Sequence, residues 1–381
     1  MALTRLRQLA AREEAVSGTA IALTAAYGKL LVEDPKMSHE TEMFPRNPVL
    51  ATFTKLGRLA GKRPATLGFN ILMQGSGAKA TPPEWSKLIK SMGFSENLME
   101  QITIGAITSG PLLHGEGITG TSSSATGTVV KNTVDDTTTL YFVTLTGTFE
   151  TGEVVTGAVS GATATTSSVP SDAGTVWLPA NVDINTLTLG SYEDGVKKLI
   201  KGARGKGKLN FKTGEPCIIN AEFMGVNAGV TDVDLLAIDY GTLPVPPVLL
   251  QAAFTSGDDS LRISELEIGF ESTLAPVDDI SDAAGLHSYR ITDRQFVFSY
   301  DPESELVANR DFYGNWIANT ESSLSMTLGV NTGNKFEFYA PKSQIDKIED
   351  DSREGIQINR ITGVLNGNEN IQNDEFCFIQ L

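Results

Sequence analysis

The feature that most constrains this chain is the recurrence of apolar residues at every second position in short runs closed by turn-forming residues. Leu67, Phe69, Ile71 and Met73 alternate with smaller or polar neighbours, and Leu266, Ile268 and Phe270 alternate with Glu265, Glu267 and Glu271. Leu324, Met326, Leu328 and Val330 stand opposite Ser323, Ser325 and Thr327. Side chains on a strand point to opposite faces in turn, so these runs predict strands with one apolar and one wet face, the pattern of antiparallel sheets. Asp194-Gly195, between the apolar runs of TLTLGSYEDGVKKL, adds a hairpin signal, because both residues accept the positive φ of a primed turn. A mainly β fold class is expected.

Helices are predicted at two places. Thr81 and Glu84 fit a capping box, Pro82 takes the first helical position, Trp85, Leu88, Ile89 and Met92 share a face, and Gly93 stands where a helix ends. A second helix is predicted over Glu303 to Ala318, weakened by Gly314. At the start of the sequence Leu3, Leu6, Leu9 and Ala10 sit at helical spacing, but Arg5, Arg7 and Arg12 interrupt them, so no apolar signal-peptide core is present. No run approaches the roughly 18 apolar residues of a membrane span. A soluble protein without a classical export signal is expected.

Composition changes sharply between Gly115 and Ser171, where Thr, Ser, Gly and Val dominate. Alternation persists there, with Thr138, Leu140, Phe142 and Thr144 against Tyr141, Val143 and Leu145, and Asp135-Asp136 supplies a turn. The stretch is read as a small inserted β module rather than a floppy linker. Outside it, strand and helix order recurs: strand, helix, strand, hairpin and paired strands before the proline-bearing YGTLPVPPVLL, then strand, helix and four strands after it. The expected division is a first β unit over 1–114 and 176–238, an inserted Thr/Gly-rich module over 115–175, and a second β unit over 239–381. The 381 residues suffice for two or three such domains.

Charge and motifs narrow the function. Lys and Arg number 30 against 46 Asp and Glu, a net charge of −16. A protein that grips nucleic acid neutralises phosphates with basic side chains, and this balance opposes that, although DNA passing an acidic wall is compatible with it. Cys217 and Cys377 lie far apart in no CxxC pattern and are expected as buried free thiols. GEGITG at Gly115 to Gly120 matches GxGxxG only formally, since TSSSATG cannot open the following helix a dinucleotide fingerprint needs. GARGKGKL at Gly202 to Leu209 resembles a phosphate loop but places Leu209 where Ser or Thr must hold magnesium, so it is read as part of a hairpin. GxSxG and HExxH are absent, and His39, His114 and His287 have no motif around them and are expected at the surface or in loops. Asp232 with Asp234, and Asp278 with Asp279 and Asp282, lack the glycine and terminal glutamate of a calcium loop. They are read as solvated acidic loops, with carboxylate pairs assembled by folding left open. No enzyme activity, metal or cofactor is expected.

One basic stretch stands out: Lys197, Lys198, Lys201, Arg204, Lys206, Lys208 and Lys212 in VKKLIKGARGKGKLNFK. It is either a solvated hairpin or a cationic patch that docks on an acidic surface of another copy, such as IDKIEDDSRE, and the first six of these residues are the inter-subunit contact candidates.

The run YEDGVKKLIKGARGKGKLNFKTGEPCIINAEFMGV resembles the hairpin and strand pair of phage tail tube proteins: a DG turn, a GARG-type segment, alternating strand residues, a G-x-P turn and an aromatic-rich strand ending in glycine. FPRNPVLATFTKLGRLAGKRPATLGFNILMQGSGAKATPPEWSKLIKSMGF is similar to the amino-terminal half of the same family, and RQFVFSYDPE and GNKFEFYAPKSQI fit its closing strands. FETGEVVTGAVSGATAT resembles small β modules that decorate phage virion proteins. The resemblance implies the tail tube (major tail) protein of long-tailed, siphovirus-like bacteriophages. It implies a β-sandwich flanked by helices whose hairpins join those of sister subunits into a barrel lining a channel. Rings would hold three chains with pseudo-six-fold symmetry if the unit is duplicated, or else six, and would stack to carry DNA without binding it specifically. It further implies tape measure, tail terminator and distal tail proteins as partners, no membrane, and a virion location after synthesis in the host cytoplasm. The alternative reading is a surface or secreted β-sandwich module that binds carbohydrate or protein, for which Trp85, Trp177 and Trp316 offer a poor sugar platform.

Overall fold

The computed structural model describes residues 6–134, 136–257 and 259–381. The chain opens with β1 (Arg7–Glu13), β2 (Val32–His39), the two-residue β3 (Met43–Phe44) and β4 (Leu59–Ala60), then β5 (Pro64–Leu72), α1 (Ser86–Ser91) and β6 (Phe94–Thr103). Five strands of the Thr-rich segment follow: β7 (Gly117–Gly120), β8 (Thr126–Val129), β9 (Thr139–Thr146), β10 (Val154–Gly157) and β11 (Thr163–Thr165). The body resumes with β12 (Ser171–Pro179), β13 (Leu187–Glu193), β14 (Val196–Lys212) and β15 (Ile218–Asp232). It ends with β16 (Ala253–Ser256), β17 (Asp259–Ser260), β18 (Glu265–Asp278), β19 (Leu286–Tyr300), α2 (Phe312–Ile317), β20 (Ser322–Leu328), β21 (Phe336–Arg353), β22 (Ile356–Leu365) and β23 (Cys377–Gln380). The protein is mainly β, as its alternating sequence predicts.

Antiparallel pairing runs β2–β5–β15–β14–β18–β19–β22–β21 in one layer. A second layer runs β16–β20–β21–β23–β12–β6–β9. β21 belongs to both. Its first part pairs with β20 and β23, and its second part pairs with β22, with a register shift between Ile345 and Lys347. A strand that changes layers through such irregularities makes the corner of a sandwich. β14 behaves similarly: Val196 to Ala203 pair with β13, Gly207 to Lys212 pair with β18, and register shifts flank Gly202, whose φ is +58°. A Cβ at Gly202 would lie 2.8 Å from the backbone of His287 and Ser288, so both conformation and close approach require glycine. GARGKGKL is thus the bulged interior of the strand that the β13–β14 and β14–β15 hairpins share, in keeping with its reading as part of a hairpin. The turn is Asp194-Gly195, with φ of +41° and +95°.

Between the layers the alternating residues meet. Leu67, Phe69 and Ile71 of β5, Ile219 and Phe223 of β15, Leu209 and Phe211 of β14, and Ile268 and Phe270 of β18 are buried in one core with Phe336, Phe338, Phe376 and Phe378 from the opposite layer. Phe270 meets Phe376 at 5.7 Å between ring centroids, and Trp85 meets Trp177 at 5.1 Å. Each such side chain contributes about 1.5–3 kcal/mol by burial. The Trp177 indole donates to Ser86 at 2.6 Å and the Trp85 indole to the Gln74 carbonyl at 2.8 Å, which satisfies both buried N–H groups.

Several local expectations are corrected. α1 starts at Ser86 and no side chain caps it. Pro83 pushes Pro82 out of the helical region, so the helix cannot begin until the second proline is passed, and the Thr81–Glu84 capping box does not form. Its face is as expected, with Trp85, Leu88, Ile89 and Met92 buried. α2 covers only Phe312–Ile317, started by Asp311, whose carboxylate accepts from the Gly314 N–H at 2.6 Å; Leu306 and Val307 lie exposed in a turn before it. The Arg-interleaved start is a strand, β1, with Leu9, Ala10 and Ala11 all buried; Leu3 and Arg5 lie outside the described residues, as does Asp135 of the expected turn. Val330 falls beyond β20 and is exposed. Cys217 and Cys377 are free and buried, as expected.

The Thr-rich segment has its own core of Ile102, Leu112, Ile118, Val129, Leu140, Phe142, Phe149 and Val155. It leaves and rejoins the body through β6 and β12, which pair with each other from Phe94–Pro179 to Gln101–Ser171. Inside it a motif occurs twice in one order: Leu112, Gly115, Glu116, Ile118, Gly120, Ser123 and Ala125, then Phe149, Gly152, Glu153, Val155, Gly157, Ser160 and Ala162. The two copies clasp each other. Glu116 accepts from the N–H groups of Val159 and Ser160 at 3.1 and 3.0 Å, and Glu153 accepts from those of Ser122 and Ser123 at 3.3 and 3.1 Å. Burial raises the Glu153 carboxyl, but hydrogen bonds from Glu150, Ser123 and Ser122 outweigh it, so the group titrates below its ordinary value.

Candidate functional site

The layer β2–β5–β15–β14–β18–β19 turns its apolar residues inward and its other face to water. The inward positions are fixed by the same register that brings Asn70, Asn220 and Asn210 side by side on the wet face. The Asn220 amide donates to Asn70 at 2.6 Å, and the Asn210 amide donates to Asn220. Together the strands form an open trough of about 880 Å³, lined by Asp34, Lys36, Gly68, Asn70, Lys206, Lys208, Asn220, Glu222, Glu267, Gly269, Glu271, Asp293 and Gln295, among others.

Five acidic side chains and three lysines line this trough. Lys208 pairs with Glu267 at 2.9 Å and Lys206 with Glu222 at 3.4 Å, each across one strand gap. These pairs are exposed and contribute little stability, about 0–1 kcal/mol each. Among the described residues Asp34, Glu271 and Asp293 have no ion-pair partner and neither has Lys36, so the trough keeps a negative excess.

The six contact candidates do not form one patch. Lys198 pairs with Glu193 at 2.7 Å, Lys201 with Asp282, and Lys206 and Lys208 as above. The Arg204 guanidinium is half-buried, donates to the Ile184 carbonyl at 2.6 Å, and has its pKa lowered by burial and by nearby Arg290. Lys197 is half-buried on the β13–β14 hairpin. Since β14 bulges twice, its cations face different neighbours, and partners distant in sequence neutralise three of the six, Lys201, Lys206 and Lys208.

Among the described residues this layer has several open edges, two of them at its ends in the pairing order. β2 pairs only with β5, and β21 beyond Ser343 pairs only with β22. A strand edge leaves N–H and C=O groups ready for another strand. At β2 the invitation is limited: Pro35 lacks a donor, and a register shift between Glu33 and Lys36 accompanies Asp34 at φ +49°.

Other chemistry-bearing groups are placed as follows. His114 lies in a turn, which its expected surface-or-loop position allows, but it is buried, because Leu112 beside it anchors the second core. Its Nδ1 donates to the Val130 carbonyl, its ring stands edge-on to Tyr339 at 5.7 Å, and burial lowers its pKa to about 4. His39 is half-buried at the end of β2, with a pKa lowered by burial and by Lys198, and His287 lies on β19, 4.0 Å from Asp279. Among the described residues no group of three or more His, Cys, Asp and Glu could hold a metal ion, and no helix is long and apolar enough to cross a membrane. Asp374, buried against the Gly115 turn, has its pKa raised by burial to about 6.

No protein family matches the sequence, and no curated protein is similar to it. What the surface itself offers is an open trough bordered on one side by the free edge of β2, while Trp85 and Trp177 are both sunk in the core. The signal for the clasped Glu116 and Glu153 was present in the sequence as a repeated Glu-x-[Ile/Val]-Thr-Gly, and the sequence reading missed it.

Proposed function

We propose that this chain is a structural subunit of a phage tail tube, in which copies join edge to edge into rings and the rings stack around a channel for DNA. The observation that carries the reading is the long antiparallel layer with one dry and one wet face, open at β2 and at the outer half of β21. In the ring, the outer half of β21 would extend the layer of the next copy beyond β2, and the troughs would become the lumen. Pro35 and the bulge beside it would then restrict pairing to the flanking residues and so select one register. A lumen with a negative excess repels phosphate, and two of the trough's three lysines are already paired, so DNA slides past without sticking. If the units before and after YGTLPVPPVLL are duplicates, three chains make a pseudo-six-fold ring; otherwise six do. The location is then the virion tail, with tape measure, terminator and distal tail proteins as neighbours.

Electron microscopy of the purified protein across a concentration series tests this. Hollow rings or tubes are expected. A folded protein that stays monomeric at high concentration, with or without phage tail components added, overturns the proposal, and specific glycan binding by that monomer would favour a surface binding module.

A further inference from the structure

The segment between β2 and β5 projects from the body as an arm. Its base is a two-rung ribbon, β3 with β4, closed by Glu42 and Lys62 backbone hydrogen bonds. Its tip, residues 45–58, makes no backbone hydrogen bond to the body among the described residues. Val49 and Phe53 are 102% and 106% exposed, and Met43, Phe44, Leu50 and Leu59 are also exposed. Six large apolar side chains exposed along one short segment mark a surface that a partner covers.

Its charge says which partner. From Met43 to Leu59 the arm carries Arg46, Lys55 and Arg58 and no acidic residue, in a chain of net charge −16. Among the described residues none of the three has an ion-pair partner, unlike most of the lysines on β14. The complementary surface lies on the same molecule at the tip of the β21–β22 hairpin. Asp346, Glu349, Asp350, Asp351 and Glu354 are exposed there against Lys347, Arg353 and Arg360, and with Lys347 on Glu349 at 2.6 Å and Arg360 on Asp351 at 3.8 Å the tip still keeps an acidic excess. Beside them Ile356, Leu306, Val307 and Ile317 are exposed as well. Backbone pairing of Ser304 with Gln357 and the Tyr313 hydroxyl on Asp350 at 3.0 Å hold the turn and α2 against the hairpin.

We infer that the basic, apolar arm of one copy docks on the acidic, apolar tip of the β21–β22 hairpin and α2 of a second copy. The choice of a second copy as occupant rests on the tube reading; the arm and its complement do not. The contact is heterologous, since arm and receptor are different surfaces, so it leaves a free arm and a free receptor at either end and can propagate or close a ring. Apolar residues supply the burial, and the charges set orientation and exclude an arm-to-arm encounter.

Two measurements separate the arm contact from the tube. First, a Phe53→Cys chain is mixed with an Ile356→Cys chain under mild oxidation; the native cysteines are buried and stay silent. A mixed disulfide exceeding both like-with-like disulfides at least tenfold is expected, and statistical or absent cross-linking overturns the inference. Second, assembly is followed for Arg46→Glu/Lys55→Glu/Arg58→Glu. At least a tenfold higher assembly concentration is expected, restored by Asp346→Lys/Asp350→Lys/Asp351→Lys in the same chain. Unchanged assembly of the arm variant overturns the inference. Preferred mixed cross-linking without any ring or tube supports the arm contact and removes the tube reading instead.

Discussion

Replacing Glu153 with alanine isolates the clasp inside the Thr-rich module. The carboxylate accepts from the Glu150 N–H at 2.6 Å, the Ser123 N–H at 3.1 Å, the Ser122 N–H at 3.3 Å and the Ser123 hydroxyl at 2.9 Å, and Glu153 is 4% exposed. Hydrogen bonds to a charged acceptor are worth about 1.5–3 kcal/mol each, are not additive, and leave costly orphan donors when the acceptor is removed. Water can reach part of the emptied site, so a net loss of about 3–5 kcal/mol is expected, confined to the module. Hydrogen exchange reads it directly: 3 kcal/mol is about a hundredfold faster exchange at the amides of Val154–Gly157 and Gly117–Gly120, with β5 of the body unchanged. Glu116→Ala should match it, since Glu116 holds the reciprocal turn through Val159, Ser160 and Leu113. The double variant should cost less than the two losses added, because both carboxylates tie the same two repeats together. Exchange in the module changing less than about threefold in either single variant would refute the clasp as a stabilising device.

Two further outcomes follow from buried titratable groups. The folded-state pKa of His114, lowered to about 4 from 6.5, means the unfolded chain binds the extra proton, so stability from this group is lost as pH falls from 6.5 to 4, by about 3 kcal/mol. Asp374, raised to about 6 from 3.8, acts with the opposite sign over most of that window, favouring the folded state as pH falls. Between pH 6.5 and 4 the urea midpoint of His114→Gln should therefore fall less than that of the wild-type chain, and an equal fall in the two contradicts the assignment. For the thiols, burial raises the pKa of both Cys217 and Cys377. The folded protein should leave an aromatic disulfide reagent unreacted for hours and release two equivalents at once in denaturant.

Strand content was legible because alternation is a local property, and Leu67 to Ile71 needed no knowledge of their neighbours to be placed on an inward face. Asp194-Gly195 was legible for the same reason. The start of α1 was misjudged because one strong signal, Thr81 with Glu84, was overridden by the second of two prolines. The Glu303 to Ala318 helix shrank to six residues once the Asp311 cap and Gly314 had set its start. The basic run on β14 misled more deeply. Its lysines meet Asp282, Glu222 and Glu267, and those encounters depend on a strand register and two bulges that no window of sequence contains. Conversely, Arg46, Lys55 and Arg58 attracted no notice in the sequence because they are dispersed, and only their common projection from the body makes them a set.

The place where the Thr-rich module joins the body has a consequence for how such a chain can change over generations. β6 and β12 are hydrogen-bonded neighbours, so the points of departure and return are one strand spacing apart, about 4.8 Å. Any guest whose own ends lie side by side can be accommodated there without moving the host, and a tight turn could replace it altogether. Loop-closure entropy grows only slowly with length, so the host is nearly indifferent to what it carries. Descendants of one ancestral body could thus wear different ornaments, or none, while the paired strands beneath them keep their shape.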